Sequence, residues 1–321
     1  MKILVLHSDV PADGPPEDQD TLIAAEAVRA ALARKGHQVS KAAFHADTLA
    51  ALLKAQTPDM VFNLVEGVDG KGILASAAPR LLSQLGMRFT GVSAEAMDFS
   101  CDKPMTKTRL RLAGLSTPDW CAPPDWRGLE LAGTRPFIVK AALEDGSIGL
   151  DDDCVVTGAA AIKARAEDCL RKFGGAWFAE EYVEGREFNL SLLGNAHTLR
   201  ILPMAEMTFA DWPSGKPRIV GYGAKWDEGS CGYRHTVRRF GVEQDEPALA
   251  EKLRAACEGV WKLFDLTGFV RVDFRVREAT PLILEINPNP GIAPDAGFAA
   301  AAEQAGMTYD DLIEAIVKAA E

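Results

Sequence analysis

The chain holds no C-x-x-C pair. Its six cysteines (Cys101, Cys121, Cys154, Cys169, Cys231 and Cys257) are scattered, a spacing that suggests neither a disulfide framework nor a zinc site. No hydrophobic run reaches membrane-spanning length. The apolar start of "MKILVLHSDV" is short, ends in polar residues and lacks a small-residue cleavage site, so it reads as a first β-strand rather than a leader or anchor. Basic charge is scarce: 35 Lys and Arg against 46 Asp and Glu give a net charge of -11. That balance argues against general nucleic-acid binding, while a few local lysines, arginines and helix N-termini can still hold an anionic ligand. The loop after the first strand, "SDVPADGPPEDQD", carries acids and prolines where a dinucleotide site needs G-x-G-x-x-G, and G-x-x-x-x-G-K-[ST] is absent as well. These absences leave a cytoplasmic protein without membrane or nucleic-acid partners as the expectation.

What is present is 321 residues, 47% hydrophobic and 25% charged, a composition suited to two or three globular domains with real cores. At the N-terminal end strand and helix alternate: "KILVLHS", then "DTLIAAEAVRAALARKGH" with a stop at Gly36, then "DMVFNLVEG", "ILASAAPRLLSQLG" and "MRFTG". This predicts a small parallel α/β domain. A second α+β unit follows, with helix "DKPMTKTRLRLAG", a Pro-rich link, strand "PFIVKAA", loop "LEDGSIG", helix "AAAIKARAEDCLRKFGG" and strand "WFAEEYV". The remainder runs through "REFNLSLLG", "TLRILPMAEMTF", the helix "PALAEKLRAACEGVWKLFDLTG", two strands and the amphipathic "TYDDLIEAIVKAA".

The last strand pair carries the chemistry. In "VRVDFRVREATPLILEINPNPG", Val270, Val272, Phe274 and Val276 alternate with Arg271, Asp273 and Arg275, so one face is core and the other is polar. The "REATP" turn folds the second strand back, with Leu284 and Ile286 expected on the core face and Glu285 and Asn287 on the polar one. Asp273 then falls roughly opposite Glu285 to Asn287. Two carboxylates and an amide beside an arginine form an oxygen-rich set of the kind Mg²⁺ or Mn²⁺ prefers when it also grips phosphates; a solvated strand face is the bland alternative. Pro288 and Pro290 end the ladder, and Gly291 lets a backbone N–H approach a ligand.

Phosphates call for cations. Lys140 stands at a strand end before the glycine-containing "LEDGSIG". Lys103 opens a helix in "CDKPMTK", where Asp102 as an ordinary cap is an equal reading. Glu180, Glu181, Glu184 and Glu187 in "FAEEYVEGREF" could hold a base edge and a ribose, with an exposed acidic edge as the competitor.

In this order the segments "FNLVEG", "GMRFTGVSAEAMDFSCDKPMTK", "FIVKAALEDGSIG", "EEYVEGREFNLSLLG", "YGAKW" and "GFVRVDFRV…LEINPNPG" resemble the D-alanine–D-alanine ligase family, and the match covers nearly the whole chain. The resemblance implies an ATP-grasp fold: an N-terminal parallel α/β domain, residues 1–97, and two α+β subdomains, 98–186 and 187–321, that sandwich ATP. It implies Lys103, Lys140 and Ser147 on ATP phosphates, Glu180, Glu181 and Val183 at adenine, Glu187 at the ribose, and Asp273, Glu285 and Asn287 around Mg²⁺ (or Mn²⁺). It further implies Lys225 on the transferred phosphate, and Arg271 with the Gly291 N–H on the tetrahedral intermediate. The implied reaction is a carboxylate attacking ATP to give an acyl phosphate, which an amine converts to an amide, with ADP and phosphate released. Small amino-acid-like substrates are implied as partners, and relatives leave a homodimer through the N-terminal domain open.

At the substrate end the sequence departs from the family. Glu66 replaces a histidine, Gly146-Ser147 a Ser-Ser pair and Trp226 a tyrosine, Asp295–Ala296 fall where a serine binds the acceptor's carboxylate, and Asp18 or Asp20 stands in for the ordering acid. Loss of a matched donor from a buried polar site costs about 1–3 kcal/mol, so such changes together can exchange one substrate for another. The added acids suggest a cationic, amine-rich or longer acceptor. A ligase for a different amino-acid-type substrate is therefore the leading expectation, a true D-alanine–D-alanine ligase the alternative, and a non-catalytic ATP-binding regulatory subunit the reading from another class. The long glycine-containing "TFADWPSGKPRIVGYGAKWDEGSCG" reads as a lid because it carries Lys225.

Overall fold

A computed structural model describes every residue except 12, 15, 145 and 321, and all side chains within helices and strands except those of residues 17, 18 and 131. The N-terminal unit is built from β1 (Lys2–His7), α1 (Pro16–Arg34), β2 (Gln38–Ala43), α2 (Leu49–Gln56), β3 (Met60–Leu64) and α3 (Ala77–Gln84). Its sheet is parallel, in the order β2-β1-β3. Strand β2 and helix α2 are not foreseen by the sequence reading: "QVSKAA" is an edge strand with no fully buried residue, so the hydrophobic run that marks β1 and β3 is missing. "MRFTG" is expected as a strand, but only Phe89 bridges to Val61.

Helices α4 (Ala94–Cys101) and α5 (Lys103–Leu112) lead to the middle unit of β4 (Trp120–Cys121), β5 (Pro136–Ala141), β6 (Val155–Thr157), α6 (Ala159–Phe173) and β7 (Trp177–Glu181). Its antiparallel sheet has the order β4-β7-β5-β6. Alternation governs its two faces: Phe137, Val139, Trp177 and Ala179 pack on α6 through Ile162, Ala166 and Cys169, while Ile138, Lys140 and Glu180 face a cavity.

The last part comprises β8 (Arg186–Gly194), β9 (Leu199–Ile201), β10 (Ala205–Phe209), α7 (Tyr222–Trp226), α8 (Cys231–His235), β11 (Thr236–Arg239), α9 (Val242–Asp245), α10 (Pro247–Leu263), β12 (Gly268–Arg277), β13 (Thr280–Pro288), α11 (Gly297–Gln304) and α12 (Tyr309–Ala319). The sheet order is β11-β10-β8-β12-β13, with β9 on β8. Its core face joins Phe188, Leu190, Val270, Val272 and Phe274 to α10, and also takes in Ala96, Met97 and Leu110 of α4 and α5. Helices α11 and α12 cross back to the first unit, where Phe298, Leu312 and Ile316 cover Ile3, Val5 and Phe62 together with α1. No helix among the described residues is long and apolar enough to cross a membrane.

The β12–β13 hairpin closes through Glu278 and Ala279, both with positive φ, 49° and 61°. Left-handed conformations at both central residues define the turn that Asn-Gly fills best, and residues with a side chain are strained there. Glu278→Asn with Ala279→Gly is expected to stabilise the fold by about 0.5–1 kcal/mol, read as a higher urea midpoint with an unchanged slope. An unchanged or lower midpoint would contradict this account of the turn.

Candidate active site

The middle sheet and the sheet centred on β8 and β12 enclose a cavity of about 980 Å³. On the C-terminal side the period of two that buries Phe188, Leu190, Val270 and Val272 turns Glu187, Asn189, Ser191, Arg271, Asp273 and Arg275 toward the cavity. Asp273 stands directly opposite Glu285 on β13 and Asn189 on β8, and Arg271 stands opposite Asn287. The expected convergence is therefore present. One detail differs: Asp273 pairs with Glu285 but Phe274 pairs with Ile283, so Leu284 is the extra residue of a β-bulge. Ile283 takes the core position expected of Leu284, which instead lines the cavity. Strict alternation counted from sequence cannot register an inserted residue.

Asp273 is 5% exposed. It accepts hydrogen bonds from Arg271 Nε and Nη2 at 2.8 and 2.9 Å, from Asn189 Nδ2 at 2.8 Å and from Asn287 Nδ2 at 3.1 Å. Burial pushes its carboxyl up, with Arg271 pulling against it. At Glu285 burial also disfavours the charge, but Lys103, Lys140, Lys225 and Arg271 outweigh it and bring the carboxyl down to about 2. Glu285 is thus an anion in a ring of cations. Among the described residues no three His, Cys, Asp or Glu side chains gather as a metal cluster. The donors on this face are two carboxylates and the oxygen of Asn287, a hard set that fits Mg²⁺ or Mn²⁺ completed by phosphate and water oxygens.

The facing wall supplies the cations. Glu180, 1% exposed, forms ion pairs with both Lys140 and Lys107. Burial opposes its ionisation, but the two ammonium groups hold the carboxyl below the usual carboxylate range. One carboxylate between two lysines leaves them repelling each other, and burial together with that repulsion draws Lys107 down to about 8. Lys107 also donates to Thr117 Oγ1 at 3.0 Å and to the Leu284 carbonyl at 3.2 Å, tying α5 to the bulge. The sequence reading missed Lys107, although its place one helical turn after Lys103 in "CDKPMTK" puts both on one face. Lys103 Nζ donates to the Glu144 carbonyl at 2.8 Å and lies 3.9 Å from Glu285. Asp102 caps α5 by accepting from Met105 N at 2.9 Å, so the capping reading of that segment is met. Glu181 pairs with Arg277 at 2.8 Å and Arg135 at 3.3 Å. Glu187 pairs with Arg275 at 2.7 Å, while Val183 lines the cavity. Glu184 is exposed and lies outside the lining.

The segment between β10 and β11 contributes Ile219, Val220, Lys225, Trp226 and Tyr233 to the cavity lining. It clasps the glycine loop of the middle unit: Ser147 Oγ donates to the Val220 carbonyl at 3.1 Å, Tyr222 N to the Leu150 carbonyl at 3.1 Å and Trp226 Nε1 to the Gly146 carbonyl at 3.4 Å. Arg275 donates to the Arg218 carbonyl from below.

At the other end Asp20, Glu66, Gly291 and Asp295 line the cavity. Asp20 Oδ2 would stand 3.8 Å from a Cβ placed on Gly291, and burial, reinforced by Asp295, pushes the Asp20 carboxyl up. The side chain of Asp18 lies outside the described residues. Arg238, which the sequence reading passed over, lines the cavity here too.

The sequence model of the family described as "D-ala D-ala ligase C-terminus" matches residues 126–318. The D-alanine–D-alanine ligase of Moorella thermoacetica is 30% identical over 99% of this chain and 98% of its own length. That of Chromohalobacter salexigens is 32% identical over 92% and 88%, and an uncharacterised protein of Sinorhizobium fredii is 29% identical over 97% and 91%. Among solved structures, the Bacillus anthracis D-alanine–D-alanine ligase complexed with ATP superposes with a TM-score of 0.78 at 20% identity, covering 100% of this chain and 97% of that one. The structural likeness fixes the ATP-grasp fold. Coverage from end to end in sequence carries the rest: the chain belongs to the D-alanine–D-alanine ligase family and is an ADP-forming ATP-grasp ligase that makes carbon–nitrogen bonds.

Proposed function

We propose that the protein joins the carboxyl group of one amino-acid-type substrate to the amine of another through an acyl phosphate, and that these substrates differ from D-alanine. The observation that carries the chemistry is the register of Asp273 against Glu285, with Arg271, Lys103, Lys140 and Lys225 around the same cavity. Phosphoryl transfer asks mainly for positioning and charge neutralisation, and this face provides both. Lys103 and Lys140 hold the ATP phosphates, the latter fixed in place by Glu180. The Glu181 to Val183 edge meets the base, and Glu187, oriented by Arg275, meets the ribose. Asp273, Glu285 and Asn287 hold Mg²⁺, which when bound screens the phosphate charge. Lys225 reaches the transferred phosphate from the lid, and Arg271 with the Gly291 N–H faces the oxyanion that forms at the reacting carbonyl.

The changed substrate rests on the far end of the cavity. There Asp20, Glu66, Asp295 and Arg238 set both signs of charge, and Trp226 with Gly146 closes the lid. Both signs suit a zwitterionic amino acid better than a purely cationic acceptor. The test is phosphate release from ATP and Mg²⁺ with D- and L-amino acids, singly and in pairs, with mass spectrometry of the products and an EDTA control. Turnover with a pair other than D-alanine, lost with EDTA, is expected; the D-alanine dipeptide from D-alanine alone would overturn the substrate reading.

A further inference from the structure

We propose that Arg238 is a specificity-determining residue that binds a non-reacting carboxylate of the substrate at the α11 end of the cavity, an inference that rests on the ligase reading above. In β11 the period of two divides "TVRR": Val237 is 48% exposed and Arg239 pairs with Asp245 at 2.7 Å on the outside, whereas Thr236 and Arg238 line the cavity. Arg239 has a surface partner. Arg238, among the described residues, forms no hydrogen bond or ion pair. Its Nη2 would lie 3.4 Å from a Cβ on Gly297, so it sits against the first residue of α11, the positive end of a helix. Arg271 is a second cation that acts on it. Burial pulls the Arg238 pKa down, Arg271 adds to the fall, and the exposed Asp295 offsets only part of it. A half-buried guanidinium beside a second arginine and a helix N-terminus is an unfavourable arrangement that an anion relieves. The planar fork of arginine matches a carboxylate in particular. With Asp20 and Asp295 lining the same cavity, the amine and carboxylate of one amino acid find groups of opposite charge there.

Two measurements test this. First, labelling of Arg238 by phenylglyoxal is followed by peptide mass spectrometry with ADP and Mg²⁺ present, adding either a pool of D- and L-amino acids or a pool of their carboxamides. The acid pool is expected to slow labelling about tenfold and the amide pool to leave it unchanged. Second, Arg238→Gln is compared with Arg238→Lys in the phosphate-release screen, each acceptor as acid and as amide. The glutamine variant is expected to lose about 10- to 100-fold in kcat/KM for the acid, mostly through KM, and to erase the acid preference, with lysine recovering part of it. The KM for ATP is expected to stay within about twofold. Equal protection by both pools, no protection by either, or an acid preference that survives Arg238→Gln would overturn the proposal. An active enzyme failing these tests refutes Arg238 alone. A chain inactive with the whole screen, yet still protected by the acid pool, refutes the substrate reading and keeps the carboxylate site.

Discussion

Arg271→Met is expected to lower turnover by on the order of 10³-fold, the scale found when a donor to a developing oxyanion is removed. It is expected to destabilise the fold as well. Arg271 gives two of its donors to Asp273, which is 5% exposed. Breaking a buried pair by removing one partner costs about 3–5 kcal/mol. Asn189 and Asn287 still donate to Asp273, so the lower end of that range applies. The two effects separate in a second variant. Adding Asp273→Asn removes the stranded charge and should restore much of the lost stability, while turnover stays at its floor because a proposed metal ligand has gone too. Guanidinium melts and single-turnover phosphate release read the two quantities. Turnover within about tenfold of wild type in Arg271→Met would show that charge at this position is dispensable to the reaction.

Gly91→Ala and Gly268→Ala are each expected to cost about 3–5 kcal/mol, the sum of left-handed strain and overpacking. Gly268 has φ +72°, and a Cβ there would meet the Gly91 Cα at 2.4 Å. Gly91 has φ +98°, and its Cβ would fall 2.2 Å from Asn289 Oδ1. At Gly268 the obstacle is backbone, and at Gly91 it is the Asn289 side chain, which is buried and accepts from Val92 N, so neither neighbour swings away freely. The crowding has a purpose: Asn289 Oδ1 accepts from Val92 N at 3.3 Å, Asn289 N donates to the Phe269 carbonyl at 3.2 Å, and Thr267 Oγ1 donates to the Gly91 carbonyl at 3.0 Å. These bonds pin "NPNPG" to the first unit just past Asn287. Loss of activity is therefore expected to follow loss of structure, seen as a lowered midpoint in chemical denaturation. A midpoint within about 0.5 kcal/mol of wild type would mean that this clasp can open without cost.

The legible parts of the fold were those written in residue periodicity. The alternation in "VRVDFRV" located the polar face, and the prolines after Asn287 located its end. Edge strand β2 was illegible because neither of its faces is fully buried, leaving no apolar pattern to read. The bulge at Leu284 was illegible because one inserted residue looks like continued strand. In the site, Asp273 and Glu285 could be read because they interrupt apolar residues within β12 and β13, and Lys140 because it stands near the end of β5 before a glycine-containing loop. Lys107 and Arg238 could not be read that way. One is fully buried against a carboxylate from another sheet, and the other gains its significance from Gly297, more than fifty residues on in the chain; both depend on tertiary neighbours that local pattern does not name.

The exchange of helices between units bears on how the chain is made. β1, α1 and β3 lie far from Phe298, Leu312 and Ile316 along the chain, yet Ile3, Val5 and Phe62 share a core with them. During synthesis the β2-β1-β3 sheet therefore keeps apolar surface uncovered until residues more than two hundred positions further on are made, so it does not complete its core in the way of a domain that folds as soon as it emerges. Helices α11 and α12 complete the core that β1 begins.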